Sequence, residues 1–116
     1  QRGEMKLCFG NAALMALAFP EEFIYTEGYA YQEGIPLTIA HGWLTNRQGQ
    51  VVDPTWGVDK HVDYFGVLVK PEYVRPRAGL SMIDDWQNGW PLVLSESPDE
   101  HLVELEKWIS GSGPGA

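Results

Sequence analysis

Two segments of β-forming residues separated by a short polar loop constrain the fold of this chain more than any other feature. Residues 37–44 have the sequence LTIAHGWL, residues 45–49 have TNRQG, and residues 50–53 have QVVD. β-branched and aromatic residues on both sides of a short, glycine-ended loop are typical of a β-hairpin. Pro54 has no amide hydrogen and therefore ends the second strand. The sequence predicts an antiparallel strand pair here.

The hairpin also predicts which side chains meet. A loop centred near Arg47 pairs His41 directly with Asp53, provided that neither strand contains a bulge. Directly paired residues lie on the same face of a sheet with their Cβ atoms close together. We therefore expect His41 and Asp53 to be within hydrogen-bond reach of each other.

The remaining segments predict a mixture of helices and strands. Residues 6–18 have helical spacing of apolar residues, with Pro20 beyond the end. Residues 23–31 and 64–69 are predicted strands, with a bulge at Gly28, and residues 81–88 and 90–94 a short helix and an edge strand. Ser97, Pro98 and Glu100 form a capping box for a last helix that continues through Ile109. This order predicts an α+β fold in which an N-terminal helix packs on an antiparallel sheet, followed by short C-terminal helices.

Length and composition indicate one folded domain. The chain has 116 residues, of which 44% are hydrophobic and 21% are charged. These values are ordinary for a globular protein and argue against disorder. We assign residues 1–110 to a single domain and residues 111–116, GSGPGA, to a flexible tail or linker.

The charge and the cysteine count limit the possible partners. The formal net charge is -8, which repels phosphate and argues against nucleic acid or a membrane as the main partner. Neither a membrane-spanning stretch nor a signal peptide is evident. One cysteine forms no internal disulfide, which suits a cytoplasmic location. Because the chain begins at Gln1 and not at Met, it is also compatible with a piece of a longer protein.

Three residues predict nucleophilic catalysis by their types and their order: Cys8, His41 and Asp53. A thiol is mostly protonated near neutral pH, so it needs a nearby imidazole, and a carboxylate fixes the tautomer of that imidazole. The predicted helix start places Cys8 in the first turn, where unpaired N–H groups and the helix dipole favour a thiolate. We therefore expect the pKa of Cys8 to be lowered.

These segments carry a family resemblance. A cysteine at the start of an Asn/Ala-rich helix, a strand with HGW and a hairpin to VVDPTW resemble the Cys-His-Asp core of the transglutaminase-like branch of the papain-like superfamily. The resemblance covers about residues 7–57. It implies that Cys8 is the nucleophile, His41 the general base and later acid, and Asp53 the residue that orients the imidazole. Similar sequences often have Ala where this chain has Gly42.

The resemblance also suggests further residues for substrate and oxyanion binding. The backbone N–H of Cys8 would be one oxyanion donor. Gln1 is near the offset at which papain-like enzymes place a second donor, whereas Asn11 lies on the same helical side as Cys8 or holds a neighbouring strand. Trp43 is either a core residue or a shield for the thiolate. Glu27 either selects a cationic group in the cleft or is simply solvated.

Two classes of function remain open. The first is a cysteine-dependent hydrolase or acyltransferase that acts on an amide, peptide or isopeptide bond without a cofactor, with a peptide or protein as substrate. The second is an inactive binding or inhibitory module with the same fold, since five tryptophans and five tyrosines suit a partner surface. A zinc site of His41, Asp53 and His61 with Cys8 is a weaker alternative, because no metal-binding motif is present.

Overall fold

The computed structural model describes residues 2–34, 36, 38–55, 62–77 and 98–111. The helices are α1 (Arg2–Ala18), α2 (Pro71–Val74) and α3 (Leu105–Ile109), with 3-10 turns at Arg75–Arg77 and Pro98–His101. The strands are β1 (Phe23–Gln32), β2 (Thr38–Asn46), β3 (Val51–Val52), β4 (Val62–Val69) and β5 (Leu102–Val103). This architecture confirms the predicted α+β class. The predicted helix at 81–88, the predicted strand at 90–94 and the tail at 112–116 lie outside the described residues.

The strands form one sheet in the order β3-β2-β1-β4-β5, and all neighbours are antiparallel. The central strand β1 pairs without a skipped residue on both sides, and Gly28 faces His41 on one side and Gly66 on the other. The predicted bulge at Gly28 is therefore wrong. A Cβ at Gly66 would lie 2.5 Å from the carbonyl oxygen of Glu27, so these glycines serve the close approach of two strands.

The hairpin between β2 and β3 has a different register from the predicted one. Leu44 pairs with Val52 and Thr45 with Val51, which centres the loop on Gln48 instead of Arg47. The cause is a three-residue loop that ends in Gly49, whose φ of 80° lies in the left-handed region. Direct pairing of His41 with Asp53 is therefore wrong.

Each face of the sheet is covered by a helix. Alternation along the strands places Tyr25, Leu44 and Val69 on the face that packs against α1. That core consists of three alanines of α1, three sheet residues and two residues of α2: Ala12, Ala13, Ala16, Tyr25, Leu44, Val69, Tyr73 and Val74. On the opposite face, Ile24 and Leu68 pack against Trp108 of α3.

The first helix starts earlier than predicted. It begins at Arg2 and not near Lys6, because the preceding Glu4, Met5 and Lys6 are themselves good helix formers. The boundary matters for the chemistry, since Cys8 lies inside the helix and not in its first turn.

The predicted continuous C-terminal helix is also wrong. Residues 98–101 form a 3-10 turn, Leu102 and Val103 pair with β4 as strand β5, and α3 begins only at Leu105. Pairing with the free edge of β4 satisfies backbone groups of Leu102 and Val103 and overrides the local helix signal. In the part of the chain that the structure describes, no helix has both the length and the apolar character to cross a membrane.

Candidate active site

His41 and Asp53 form a short hydrogen bond inside the protein. The distance from His41 Nε2 to Asp53 Oδ2 is 2.7 Å, and both side chains are 1% exposed. The ladder between β2 and β3 ends at Val52, so Asp53 follows the last paired residue and reaches back diagonally toward His41. Diagonal neighbours on one face remain within reach of long side chains. The contact predicted from the hairpin is therefore present, although the register that predicted it is not.

Asp53 accepts hydrogen bonds on both oxygens. Tyr64 donates its hydroxyl to Oδ2 at 2.9 Å, and the backbone N–H of Thr55 donates to Oδ1 at 3.0 Å. Three donors around one carboxyl group match an ionised carboxylate, which only accepts. Where Asp53 accepts from Nε2, the neutral tautomer of the imidazole has its lone pair on Nδ1. Nδ1 is thus the ring nitrogen that can take up a proton.

Cys8 meets the sheet at the edge of β2, at Gly42. The backbone amides of Gly42 and Phe9 both donate to the Cys8 sulfur. Asn46 of β2 donates its N–H toward β3, and peptide direction alternates along a strand, so the Gly42 N–H points toward the same edge. Beside Gly42, β3 has already ended. The Cys8 sulfur therefore accepts the hydrogen bond of the Gly42 N–H that a residue of a longer β3 would have accepted.

A glycine at position 42 allows α1 to approach the sheet. A Cβ at Gly42 would lie 2.9 Å from Phe9 Cδ1 and 3.0 Å from the Tyr25 hydroxyl. Both distances are shorter than ordinary van der Waals contact, so an alanine would push the helix or Tyr25 away. The glycine in place of alanine therefore has a packing reason, namely the close contact between the Cys8 helix and β2.

The protonation state of Cys8 differs from the prediction. Burial raises the pKa of the Cys8 thiol, the Gly42 amide lowers it, and the negative charges of Asp53 and Glu27 raise it further. The net direction is upward, so the expectation of a lowered pKa is wrong. The longer helix is one reason: residues 2–7 precede Cys8 in α1, which removes it from the positive helix end. Its amide also falls within the helix ladder, not among the unpaired N–H groups proposed as an oxyanion donor.

Glu27 is buried beside Cys8 and is not solvated, which corrects one of the two interpretations of this residue. It is 1% exposed and accepts a hydrogen bond from the Tyr25 hydroxyl at 2.7 Å. Burial, with the Glu27 charge next in importance, raises the pKa of Tyr25 well above its ordinary value. The site therefore contains a second buried acidic side chain, held by a neutral phenol.

Trp43 packs across the sheet between the site and β4. Its ring stacks on His41 with centroids 6.0 Å apart, and it meets Tyr64 edge to face at 4.8 Å. A Cβ at Gly66 would lie 2.8 Å from Trp43 Cη2, so the glycine leaves room for the indole. Trp43 is buried and forms the floor beneath His41.

Asn11 connects the helix of Cys8 to the turn of Asp53. Its side-chain amide donates to Thr55 Oγ1 at 3.1 Å, while the N–H of Thr55 binds Asp53. Gln1, Trp56 and His61 lie outside the described residues. Among the residues that the structure describes, no three His, Cys, Asp or Glu side chains are grouped to hold a metal ion.

Sequence reasoning missed two residues of this site, Tyr25 and Tyr64. Their phenols bind the two acidic side chains of the site, Glu27 and Asp53. Both tyrosines stand in predicted strands, where an aromatic residue is ordinary core material. Tyr25 and Glu27 are two residues apart on β1, whereas only the register across β1 shows that the Tyr64 hydroxyl reaches Asp53.

Comparison of the chain with protein-family models, curated proteins and solved structures found no match. The resemblance to transglutaminase-like proteins therefore depends on the quoted residues alone, and the functional argument depends on the geometry described above.

Proposed function

We propose that the chain is a cysteine-dependent hydrolase or acyltransferase with a transglutaminase-like core, acting on an amide, peptide or isopeptide bond through an acyl-enzyme on Cys8. The buried 2.7 Å bond between His41 Nε2 and Asp53 Oδ2 is the observation that carries this proposal. It orients the imidazole and leaves Nδ1 as the proton acceptor. The Gly42 amide, one residue from His41 along β2, supports the assignment because it acts on the Cys8 thiol.

In the first step, His41 Nδ1 takes the proton of the Cys8 thiol while the sulfur attacks the carbonyl carbon. The resulting imidazolium is stabilised by Asp53 and then protonates the leaving amine as the carbon–nitrogen bond breaks. A thioester remains on Cys8. In the second step, water or an amine loses a proton to His41 as it attacks the thioester, and that proton returns to the departing sulfur.

The raised pKa of Cys8 determines how the first step proceeds. A neutral thiol is the resting form, since burial and two nearby carboxylates oppose the thiolate. Proton transfer to His41 therefore accompanies the attack and does not precede it. The thiol is 1% exposed, so the surrounding side chains have to yield before a carbonyl reaches it.

The charge around the site favours a particular kind of substrate. Asp53 and Glu27 are both buried close enough to act on Cys8, and the net charge of the chain is -8. Cationic or neutral peptide or protein substrates fit this field better than anionic ones. The proposal also includes a cytoplasmic setting, with neither nucleic acid nor a membrane as partner.

The test is acylation by para-nitrophenyl acetate, a small activated ester, followed by mass spectrometry. The proposal predicts a burst of nitrophenol and one acetyl group on Cys8. The burst is lost in Cys8→Ala, and it falls at least about 100-fold in His41→Ala, the usual scale of general base catalysis. His101→Ala is the matched control, because His101 packs on Tyr73 outside the site, and it retains the burst. Equal acetylation of Cys8 with and without His41 would refute the proposal.

The burial of Cys8 favours a second candidate, a binding or inhibitory module that uses the fold without catalysis. A fully buried thiol with a raised pKa is what a packed structural cysteine has. This candidate predicts that Cys8→Ala leaves a partner interaction intact and that the native thiol resists the ester. The same acetylation experiment therefore separates the two functions.

A further inference from the structure

Tyr64 shares a carboxylate oxygen with His41. Its hydroxyl donates to Asp53 Oδ2 at 2.9 Å, and His41 Nε2 donates to the same oxygen at 2.7 Å. Tyr64 belongs to β4, whereas His41 belongs to β2, and β1 lies between them. The hydrogen bond from Tyr64 to Asp53 therefore extends across β1 to reach the residue that binds His41. Ordinary packing of the core does not explain it.

Small residues of β1 open the path between the two strands. Tyr64 pairs with Ala30, and His41 pairs with Gly28, on the same face of the sheet. With only a methyl group and a hydrogen on this face of β1, the phenol crosses it unobstructed. The ring is fixed on the way by Trp43, which it meets edge to face, and by His41 itself, whose centroid is 6.2 Å away.

We propose that Tyr64 is a positioning residue that orients His41 through Asp53. The phenol fixes Oδ2 from the side of β4 while the Thr55 amide fixes Oδ1, so the carboxylate cannot rotate. A carboxylate held at both oxygens fixes the direction of the imidazole. This inference rests on the proposed function for its catalytic meaning, but the hydrogen bond itself can be tested without any substrate.

The first arm of the test is the proton resonance of His41 Nε2–H in the folded protein. In Tyr64→Phe, Oδ2 loses a competing donor, so the bond from His41 strengthens and the resonance moves downfield. Protein labelled with meta-fluorotyrosine, a stronger donor than tyrosine, gives the opposite, upfield shift and requires no mutation. The control is Tyr31→Phe, an exposed tyrosine of β1, which leaves the resonance unchanged. An unmoved resonance in both altered proteins would overturn the proposal.

The second arm is a double-mutant cycle on acetylation of Cys8. Tyr64→Phe lowers the burst rate about three- to tenfold, the worth of one hydrogen bond. In an Asp53→Ala background, which offers no accepting oxygen, the same change has no further effect, because Tyr64 acts through that carboxylate. An equal loss in both backgrounds would indicate a merely structural tyrosine and overturn the proposal. If the unaltered protein is never acetylated, the proposed function fails while the resonance arm still decides whether Tyr64 orients His41.

Discussion

Replacement of Asp53 by asparagine tests the buried network that holds the site together. Asp53 receives three donors, from His41, Tyr64 and the Thr55 amide. The amide of asparagine has one accepting oxygen and brings a donor group to the other position, which then faces an N–H or O–H. A hydrogen bond to a charged group contributes about 1.5–3 kcal/mol, and a buried unsatisfied donor costs about 1–3 kcal/mol. With its oxygen at the Oδ2 position, asparagine keeps the bonds from His41 and Tyr64 and loses the one from the Thr55 amide. We therefore expect Asp53→Asn to lower the free energy of unfolding by about 2–4 kcal/mol.

The assay is urea unfolding followed by tryptophan fluorescence. With a slope of about 1–2 kcal/mol per molar urea for a small domain, this loss lowers the midpoint by about 1–4 M. Asp63→Asn is the matched control, because Asp63 is an exposed carboxylate on β4, and it changes stability by less than about 0.5 kcal/mol. A loss below about 1 kcal/mol in Asp53→Asn would show that the network is not the tightly satisfied one described here.

Three other perturbations follow from the same structure. The raised pKa values of Cys8 and Tyr25 mean that the unfolded chain loses protons first as pH rises. The contribution of these two groups to stability is therefore constant below the ordinary thiol pKa of 9.0 and falls above it, by up to about 1.4 kcal/mol per pH unit for each group. Urea melts of Tyr25→Phe should show a shallower decline, and an unchanged decline would contradict the assignment. Gly42→Ala crowds Phe9 and should cost about 1–3 kcal/mol, measured by thermal unfolding, whereas a stabilised variant would show that the helix has room. Trp108→Phe removes part of a buried ring and the 2.8 Å hydrogen bond to the Asn46 carbonyl. We expect it to lower the free energy of unfolding by about 2–3 kcal/mol, measured by urea unfolding. An unchanged urea midpoint would contradict this expectation.

The hairpin shows which features of the site can be predicted from the sequence and which cannot. β-formers around a polar loop predicted the strand pair, and the pairing centred near Arg47 predicted that His41 and Asp53 would meet. The register could not be predicted, because it depends on the left-handed conformation of Gly49 and on the bonds that Asn46 makes across the loop. The contact survives the shift in pairing because His41 and Asp53 remain diagonal neighbours on the same face.

The environment of Cys8 was the least predictable part of the site. Its type and its position on an apolar helix could be recognised, but its pKa depends on burial and on two carboxylates from other strands. The charges of Glu27 and Asp53 approach it only through tertiary packing. The C-terminal segment failed for a similar reason, since the free edge of β4 outweighed a local capping signal at Pro98.

The most direct test of the account is the alkylation rate of Cys8 by iodoacetamide at neutral pH, measured across sub-denaturing urea concentrations. The unaltered protein is compared with His41→Ala, and labelling is followed by mass spectrometry. The account predicts a rate that is independent of urea, because a local opening of the folded site and not global unfolding exposes the buried sulfur, and that is lost in His41→Ala. An alkylation rate that rises with urea in proportion to the unfolded fraction would contradict the account. So would equal rates in the unaltered protein and His41→Ala after each rate is divided by that protein's unfolded fraction.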